Sequence, residues 1–433
     1  MLVKRTDVLI EPNPNRVLLM PFDLKYEQRI SRTTNQVFYL YDEQRISRIT
    51  NYVFNLYNQE VNEEVEKIYS EFNDRHRNFI EECLIRCEEI IRLIGFKKNL
   101  SENHKILVGS YFLKEFSVES AALFNPSIVL HPDQSKLKNG ECRFILSLRA
   151  TGEGHISSIV FRSGILDSNS NMVFEKPSKY ITAPSKVAIN KMNYELNYDP
   201  SIDISERIIF PLTPDESNGI EDARFVKFSG SGNDTYFATY SAYDGKNIVS
   251  KLLQTNEFTQ FQIKTLNGSE SKNKGMALFP RKINGRYAML SRQDGESNFI
   301  MYSDDLYNWN SKEILTIPEH SWELVQMGNC GAPIETDEGW LVLTHGVGPL
   351  RKYSINAILL DLNAPTKIIG RLKQPILEAN ENEREGYVPN VVYSCGGIIH
   401  NDQLVLPYAV SDYLTSFAFV DLKELLQKLI KSK

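Results

Sequence analysis

The stretch GIEDARF, Gly219 to Phe225, sets Glu221, Asp222 and Arg224 side by side, ahead of an apolar FVKF run that reads as a strand. A carboxylate beside a guanidinium stays charged and oriented and can aim at a bound hydroxyl, or it can simply tie two elements together. Spacing alone leaves both readings open. In SLRATGEGHISS, Arg149 closes an apolar run, Gly152 and Gly154 free the backbone, and Glu153 and His155 stand in a polar turn. Such a turn suits hydrogen bonds to sugar hydroxyls or acid–base work, against the alternative of a His satisfied inside the fold. Glu270 and Lys274 precede the apolar MALF, with Glu270 in a polar loop where an idle carboxylate is an equal reading. Arg292, Asp294 and Glu296 in LSRQDGES, His345 in LTHGVG, and Tyr408 and Asp412 in LPYAVSD complete the set. Tyr302, Trp309, Trp322 and Tyr387 offer flat faces for pyranose rings or for packing. Walker A, G-x-G-x-x-G, H-E-x-x-H and G-x-S-x-G patterns are absent from the sequence. Carboxylates with Arg, His and aromatics point to glycoside chemistry.

These residues need elements that bring them together. Beyond about Lys105 the chain reads as short β-rich runs separated by turn residues. Five runs share a form, a turn followed by an apolar strand with a polar end, and they finish at or near Arg149, Ser241, Arg292, His345 and Asp412. Recurrent hairpins of this kind predict an all-β fold, a five-bladed β-propeller with the strand ends converging on one pocket, against the alternative of a β-sandwich. From about Leu24 to Leu93 the three- and four-residue apolar steps predict helix. A tandem copy lies inside it: EQRISRTTNQVFYLY from Glu27 is echoed by EQRISRITNYVFNLY from Glu43. The expected organisation is therefore an N-terminal segment and helical extension over 1–104 and a catalytic propeller over 105–433, with the helices packing on the blades or joining a homo-oligomer.

Among 433 residues, 42% are hydrophobic and 24% charged, and the net charge is -6, which argues against disorder and against a nucleic-acid partner. No apolar run is long enough to span a bilayer, so the expectation is a soluble, cytoplasmic protein with no membrane role. The five cysteines are odd in number and scattered, which speaks against a disulfide framework; Cys83 and Cys87 share a helix face and read as core packing. No metal or cofactor is expected.

Taken together, NPNRVLLMPF, RHRN, ALFNPSIV, GIEDARF, KGMALFPRKINGRYAMLSR, THGVG followed by AILLDL, and LPYAVSD run through nearly the whole chain in order, and the sequence resembles glycoside hydrolase family 130, the β-mannoside phosphorylases and β-mannosidases. The resemblance implies a five-bladed propeller that cleaves a β-mannosidic bond with inversion, by water or by phosphate as co-substrate. Phosphorylases of the family carry an acid aspartate in a stretch like R-V-E-D-R after the first-blade strand; the sequence there is RATGEGH, with Glu153 near the place. That departure favours hydrolysis of short mannosides, with Glu221 and Glu270 activating water and Glu153 or a substrate hydroxyl relaying the proton. Arg149, His155, Asp222, Arg224, Lys274, Arg292, His345, Tyr408 and Asp412 are expected to hold the substrate. Arg224 and Lys274 keep phosphorolysis to mannose 1-phosphate as the alternative, and a non-catalytic carbohydrate-binding propeller is the third reading.

Overall fold

The computed structural model describes residues 2–29, 37–97, 99–230 and 234–432. The chain forms two compact units: Asn15–Ser117 with Lys179–Ala183, and the remainder, in which the first fourteen residues join Val118–Ser178 and Pro184–Lys433.

The larger unit is built from antiparallel sheets. The first has the strand order Ala122–Leu130, Cys142–Thr151, Ser157–Leu166 and Ile208–Ile209. The second begins with Ile220–Phe228, Thr235–Tyr243, Ile248–Thr255 and Gln260–Thr265 and is extended by the hairpin of Lys186–Asn190 and Asn193–Asn197. The third is Ala277–Leu278, Tyr287–Ser291, Asn298–Ser303 and Glu313–Thr316, and the fourth is Gln326–Asn329, Gly339–Val347, Tyr353–Leu360 and Ile368–Arg371. The fifth takes Val392–Tyr393, Gln403–Val410 and Leu414–Asp421 from the C-terminal end and Val3–Ile10 from the other. Each of the five hairpin runs seen in the sequence supplies the second strand of its sheet.

The apolar faces of these strands account for their order in space. One core joins sheets one and two around Phe161, Phe225 and Phe258, the next joins two and three around Met289 and Trp309, and the next joins three and four around Phe279 and Trp340. Leu343, Leu359, Leu406 and Tyr408 join four and five, together with Leu425 and Leu429 of the helix Leu422–Lys431. Phe124, Val391, Tyr393 and Ala409 then join five back to one. Every sheet buries one face on each neighbour, and the series closes on itself.

The smaller unit holds the strand pair Val17–Pro21 and Leu113–Ser117 and the helices Glu43–Phe54, Asn58–Phe72, Phe79–Ile94 and Glu102–Ser110. Cys83 and Cys87 are fully buried in its core, where burial pushes both thiols up to about 12, so they pack as small apolar groups. The helix expected from Leu24 is corrected. Lys25–Arg29 and Val37–Tyr41 pair as an antiparallel hairpin with Lys25 opposite Tyr41, and helix starts at Glu43, where the Asp42 side chain accepts from Arg45 N at 3.0 Å. The two copies of the duplicated sequence thus differ: Val37–Tyr41 of the first is strand, while Glu43–Phe54 of the second is helix, burying Ile46, Thr50 and Val53. Residues 30–36 of the first copy lie outside the described residues. Near-identical sequences share one local propensity, so propensity alone does not account for the difference.

Candidate active site

Two β-bulges set the geometry. The pairing of Ala122–Leu130 with Cys142–Thr151 slips between Phe124 and Ser127, and that of Ile220–Phe228 with Thr235–Tyr243 slips between Glu221 and Arg224. Asn125 and Asp222 occupy these bulges with left-handed φ of 48° and 55°. In an even strand, neighbours point to opposite faces; the bulge turns both Glu221 and Asp222 toward one hollow, which is why GIED puts two acids together. Asn125 Nδ2 donates to Asp222 Oδ1 at 2.6 Å and joins the two bulges.

The hollow, about 180 Å³, draws side chains from all of the sheets. Arg149 and Lys274 face Glu221: Arg149 Nη2 lies 2.8 Å from Glu221 Oε1, and Lys274 Nζ contacts the other oxygen. Arg149 Nη1 also lies 3.6 Å from Asp222 Oδ1 and its guanidinium stacks on Phe124. Across the hollow, Arg292 Nη1 lies 3.2 Å from His345 Nε2. A guanidinium only donates, so His345 accepts there and carries its proton on Nδ1. Gly328 makes room for this ring, since a Cβ there would fall 2.6 Å from His345 Cε1. Arg351 and Tyr353 line the fourth sheet's side, Tyr393 and Asp412 the fifth's.

Electrostatics separates the acids. Burial alone would raise the Asp222 carboxyl; Arg149, Arg224 and Lys274 outweigh it and hold the group below the usual range. Asp412 is pushed up to about 6, by burial first and then by the Asp222 charge. Burial and the Arg292 and Arg224 charges push His345 well below its ordinary value, so the imidazole is neutral at pH 7. Glu221 is bound by cations on both oxygens, whereas among the described residues Arg292 and Arg351 have no carboxylate partner within ion-pairing distance. The hollow therefore keeps two guanidinium groups available to an anion.

Of the residues expected to catalyse or to hold the substrate, Arg149, Glu221, Asp222, Lys274, Arg292, His345 and Asp412 line the hollow. Five of that set do not. Arg224 is buried behind it, donating to Tyr393 OH at 2.7 Å. Tyr408 is buried away from the hollow and donates to Glu383 at 2.7 Å. Glu270 is turned away to Lys312, 2.8 Å distant. Glu153 and His155 stand on an exposed loop, where His155 meets Tyr387. Trp309, Trp322 and Tyr302 do not line the hollow either, and Trp309 is fully buried core. Sequence reasoning passed over Asn125, Gln326, Arg351, Tyr353 and Tyr393. Only Asn125 carried a signal, a polar residue before proline inside the apolar ALFNPSIVL strand.

Carboxylates and cations thus gather in one hollow among the antiparallel sheets of a β-dominated fold. Residues 157–431 match the glycosyl hydrolase 130 family model, described as beta-1,4-mannooligosaccharide phosphorylase, and the chain belongs to this family. It is 34% identical over 259 residues to a 1,2-beta-oligomannan phosphorylase of Thermoanaerobacter sp. (strain X514), covering 58% of this chain and 82% of that one. A beta-1,2-mannobiose phosphorylase of Listeria innocua serovar 6a is 33% identical, with 56% of this chain and 68% of that one covered. In structure the chain is similar to a beta-1,2-mannobiose phosphorylase from Listeria innocua in complex with beta-1,2-mannobiose, with a TM-score of 0.52 at 23% identity, over 72% of this chain and 93% of that one. This last likeness concerns the fold. Among the described residues no helix is long and apolar enough to cross a membrane, and no cluster of His, Cys, Asp and Glu is placed to hold a metal ion.

Proposed function

We propose that the protein is a β-mannoside phosphorylase, which transfers a terminal mannosyl group from a manno-oligosaccharide to inorganic phosphate and releases mannose 1-phosphate. The cyclic series of sheets is read as a five-bladed β-propeller with this hollow at one end of its axis. One observation carries the reaction type: Arg292 and Arg351, with no carboxylate within ion-pairing distance among the described residues, line the same hollow as the acids, together with Lys274 and neutral His345. A cationic nest is what a phosphate nucleophile needs; water needs a free carboxylate base instead. The two glutamates of the hydrolytic reading do not supply one, because Glu221 is held by Arg149 and Lys274 and Glu270 points to Lys312. The relatives named as phosphorylases support the same choice.

In this reading the acid is Asp222. The E-D pair sought after the first-blade strand stands instead in IEDAR at the second sheet's inner strand, so RATGEGH marks no loss of the acid. Arg149, Arg224 and Lys274 hold Asp222 ionised in the empty hollow. A phosphate dianion bound beside it offsets those charges and raises its proton affinity, so acid and nucleophile arrive together. The proton passes from Asp222, directly or through a sugar hydroxyl, to the glycosidic oxygen; the C1–O bond breaks and a phosphate oxygen bonds to C1 from the opposite face. Inversion turns a β-mannoside into α-mannose 1-phosphate. Arg149 and Glu221 fix the acid's surroundings, and Asp412 holds a sugar hydroxyl. Incubation of the protein with β-1,2- or β-1,4-mannobiose, with and without phosphate, tests the reading by the sugar product. Mannose 1-phosphate formed only with phosphate is expected; free mannose formed at equal rate without phosphate refutes it.

A further inference from the structure

Two side chains next to the hollow form a contact that phosphorolysis, as described, leaves unused. Tyr387 is 56% exposed, its hydroxyl lies 3.2 Å from His155 Nδ1, and the two rings stand 5.9 Å apart, tilted by 34°. His155 is exposed as well. A lone exposed tyrosine needs no explanation; the way these two are mounted does. The Tyr387 loop is fastened to the hollow on both sides: Val388 N donates to Ser411 O at 2.9 Å, next to Asp412, and Tyr353 N donates to Asn390 O at 3.1 Å. Gly386 packs so closely on Ser411 that a Cβ would lie 2.6 Å from the Ser411 Cβ. The His155 loop is tied to the acids, since Ser157 Oγ donates at 2.9 Å to the carbonyl of Ile220, which precedes Glu221. His155 itself sits at a left-handed φ of 60°, a backbone state that non-glycine residues adopt only at a cost.

The pair therefore stands on two loops anchored beside lining residues of the fifth and first sheets, with the Tyr387 ring largely exposed. We propose that Tyr387 and His155 form the acceptor subsite: the Tyr387 ring stacks on the apolar face of the substrate's second hexopyranose, and His155, through Nε2, hydrogen-bonds one of its hydroxyls. An aromatic ring with a polar edge matches a pyranose, which has an apolar face and a polar rim. The inference rests on the phosphorolysis reading for the bond that is cleaved, because the sugar held here is the leaving group in one direction and the acceptor in the other.

Synthesis from mannose 1-phosphate and a mannose or mannobiose acceptor separates the two halves of the site. Tyr387→Ala is expected to raise the acceptor KM about three- to tenfold while the mannose 1-phosphate KM stays within about twofold. Tyr387→Phe, which keeps the ring face but loses the hydroxyl that meets His155, raises the acceptor KM less than Tyr387→Ala does, and His155→Ala shifts the acceptor KM in the same direction. An unchanged acceptor KM in Tyr387→Ala, or both KM values rising together, overturns the proposal. Calorimetry with mannose and β-mannobiose gives a readout independent of turnover: the wild type is expected to prefer the disaccharide and Tyr387→Ala to lose that preference. If the wild type makes no mannose 1-phosphate but keeps this preference, phosphorolysis fails and the subsite stands; equal affinity for both sugars in the wild type sinks the subsite alone.

Discussion

Asp412→Asn is expected to make the protein more stable and less active, with a pH dependence that identifies the cause. The Asp412 carboxyl is raised from 3.8 to about 6 in the folded protein, chiefly by burial and then by the Asp222 charge. A raised carboxyl binds its proton more tightly when folded than when unfolded. Folding therefore loses stability as pH climbs from the unfolded value to the folded one, and the loss is complete above about pH 6. Roughly two pH units at 1.36 kcal/mol each correspond to about 3 kcal/mol. Asparagine keeps the shape and does not ionise, so Asp412→Asn should unfold at higher urea than wild type at about pH 8, by up to about 3 kcal/mol, with the gap closing toward about pH 4. Because Asp222 contributes to the shift, the gain should shrink in an Asp222→Asn background. Phosphorolysis should fall about tenfold or more, since a hydrogen bond from the sugar to a carboxylate is replaced by a neutral one. Equal urea midpoints at both pH values, or a gain that ignores Asp222, would refute the account of this site's electrostatics.

Arg292→Met should raise the phosphate KM about 10- to 100-fold, as expected for a lost charge-assisted contact, while the mannoside KM moves little; initial rates across a phosphate series decide it. Asn125→Ala removes the 2.6 Å hydrogen bond to Asp222 and should lower kcat about tenfold with little change in unfolding midpoint, the pH–rate profile shifting because the acid loses a donor. Glu270→Gln, outside the hollow, should leave turnover within about twofold; a loss of orders of magnitude would revive the water-activating glutamate pair. Gly328→Ala drives a Cβ against His345 and should weaken phosphate binding in the same rate assay.

The strand ends were legible because a β-hairpin repeat announces itself through turn residues and alternation, and Arg149, Arg292, His345 and Asp412, at or just past the ends of the second strands of four of the five sheets, line the hollow, whereas Ser241 of the second sheet does not. Bulges were not legible. Nothing in one sequence shows that register slips at Asn125 and Asp222, and that slip decides which neighbours share a face. On the proposed reading IEDAR supplies the acid, whereas chain order directs the search beside Arg149; Arg149 and Asp222 meet across two sheets. Glu270 and Tyr408 looked equivalent to the true lining residues because spacing cannot show which ion or hydroxyl a side chain prefers; Lys312 and Glu383 claimed them. The duplicated segment shows the same limit for secondary structure, one copy giving a strand where the other gives helix.

The fifth sheet has an outcome for folding. Its outer strand, Val3–Ile10, pairs with Leu414–Asp421, and Arg5 is clasped by Glu383 at 3.0 Å. The fifth sheet is thus completed by residues some four hundred positions apart, a long-range pairing of the kind that slows folding, and losing Val3–Ile10 would leave the outer edge of Leu414–Asp421 without its strand partner.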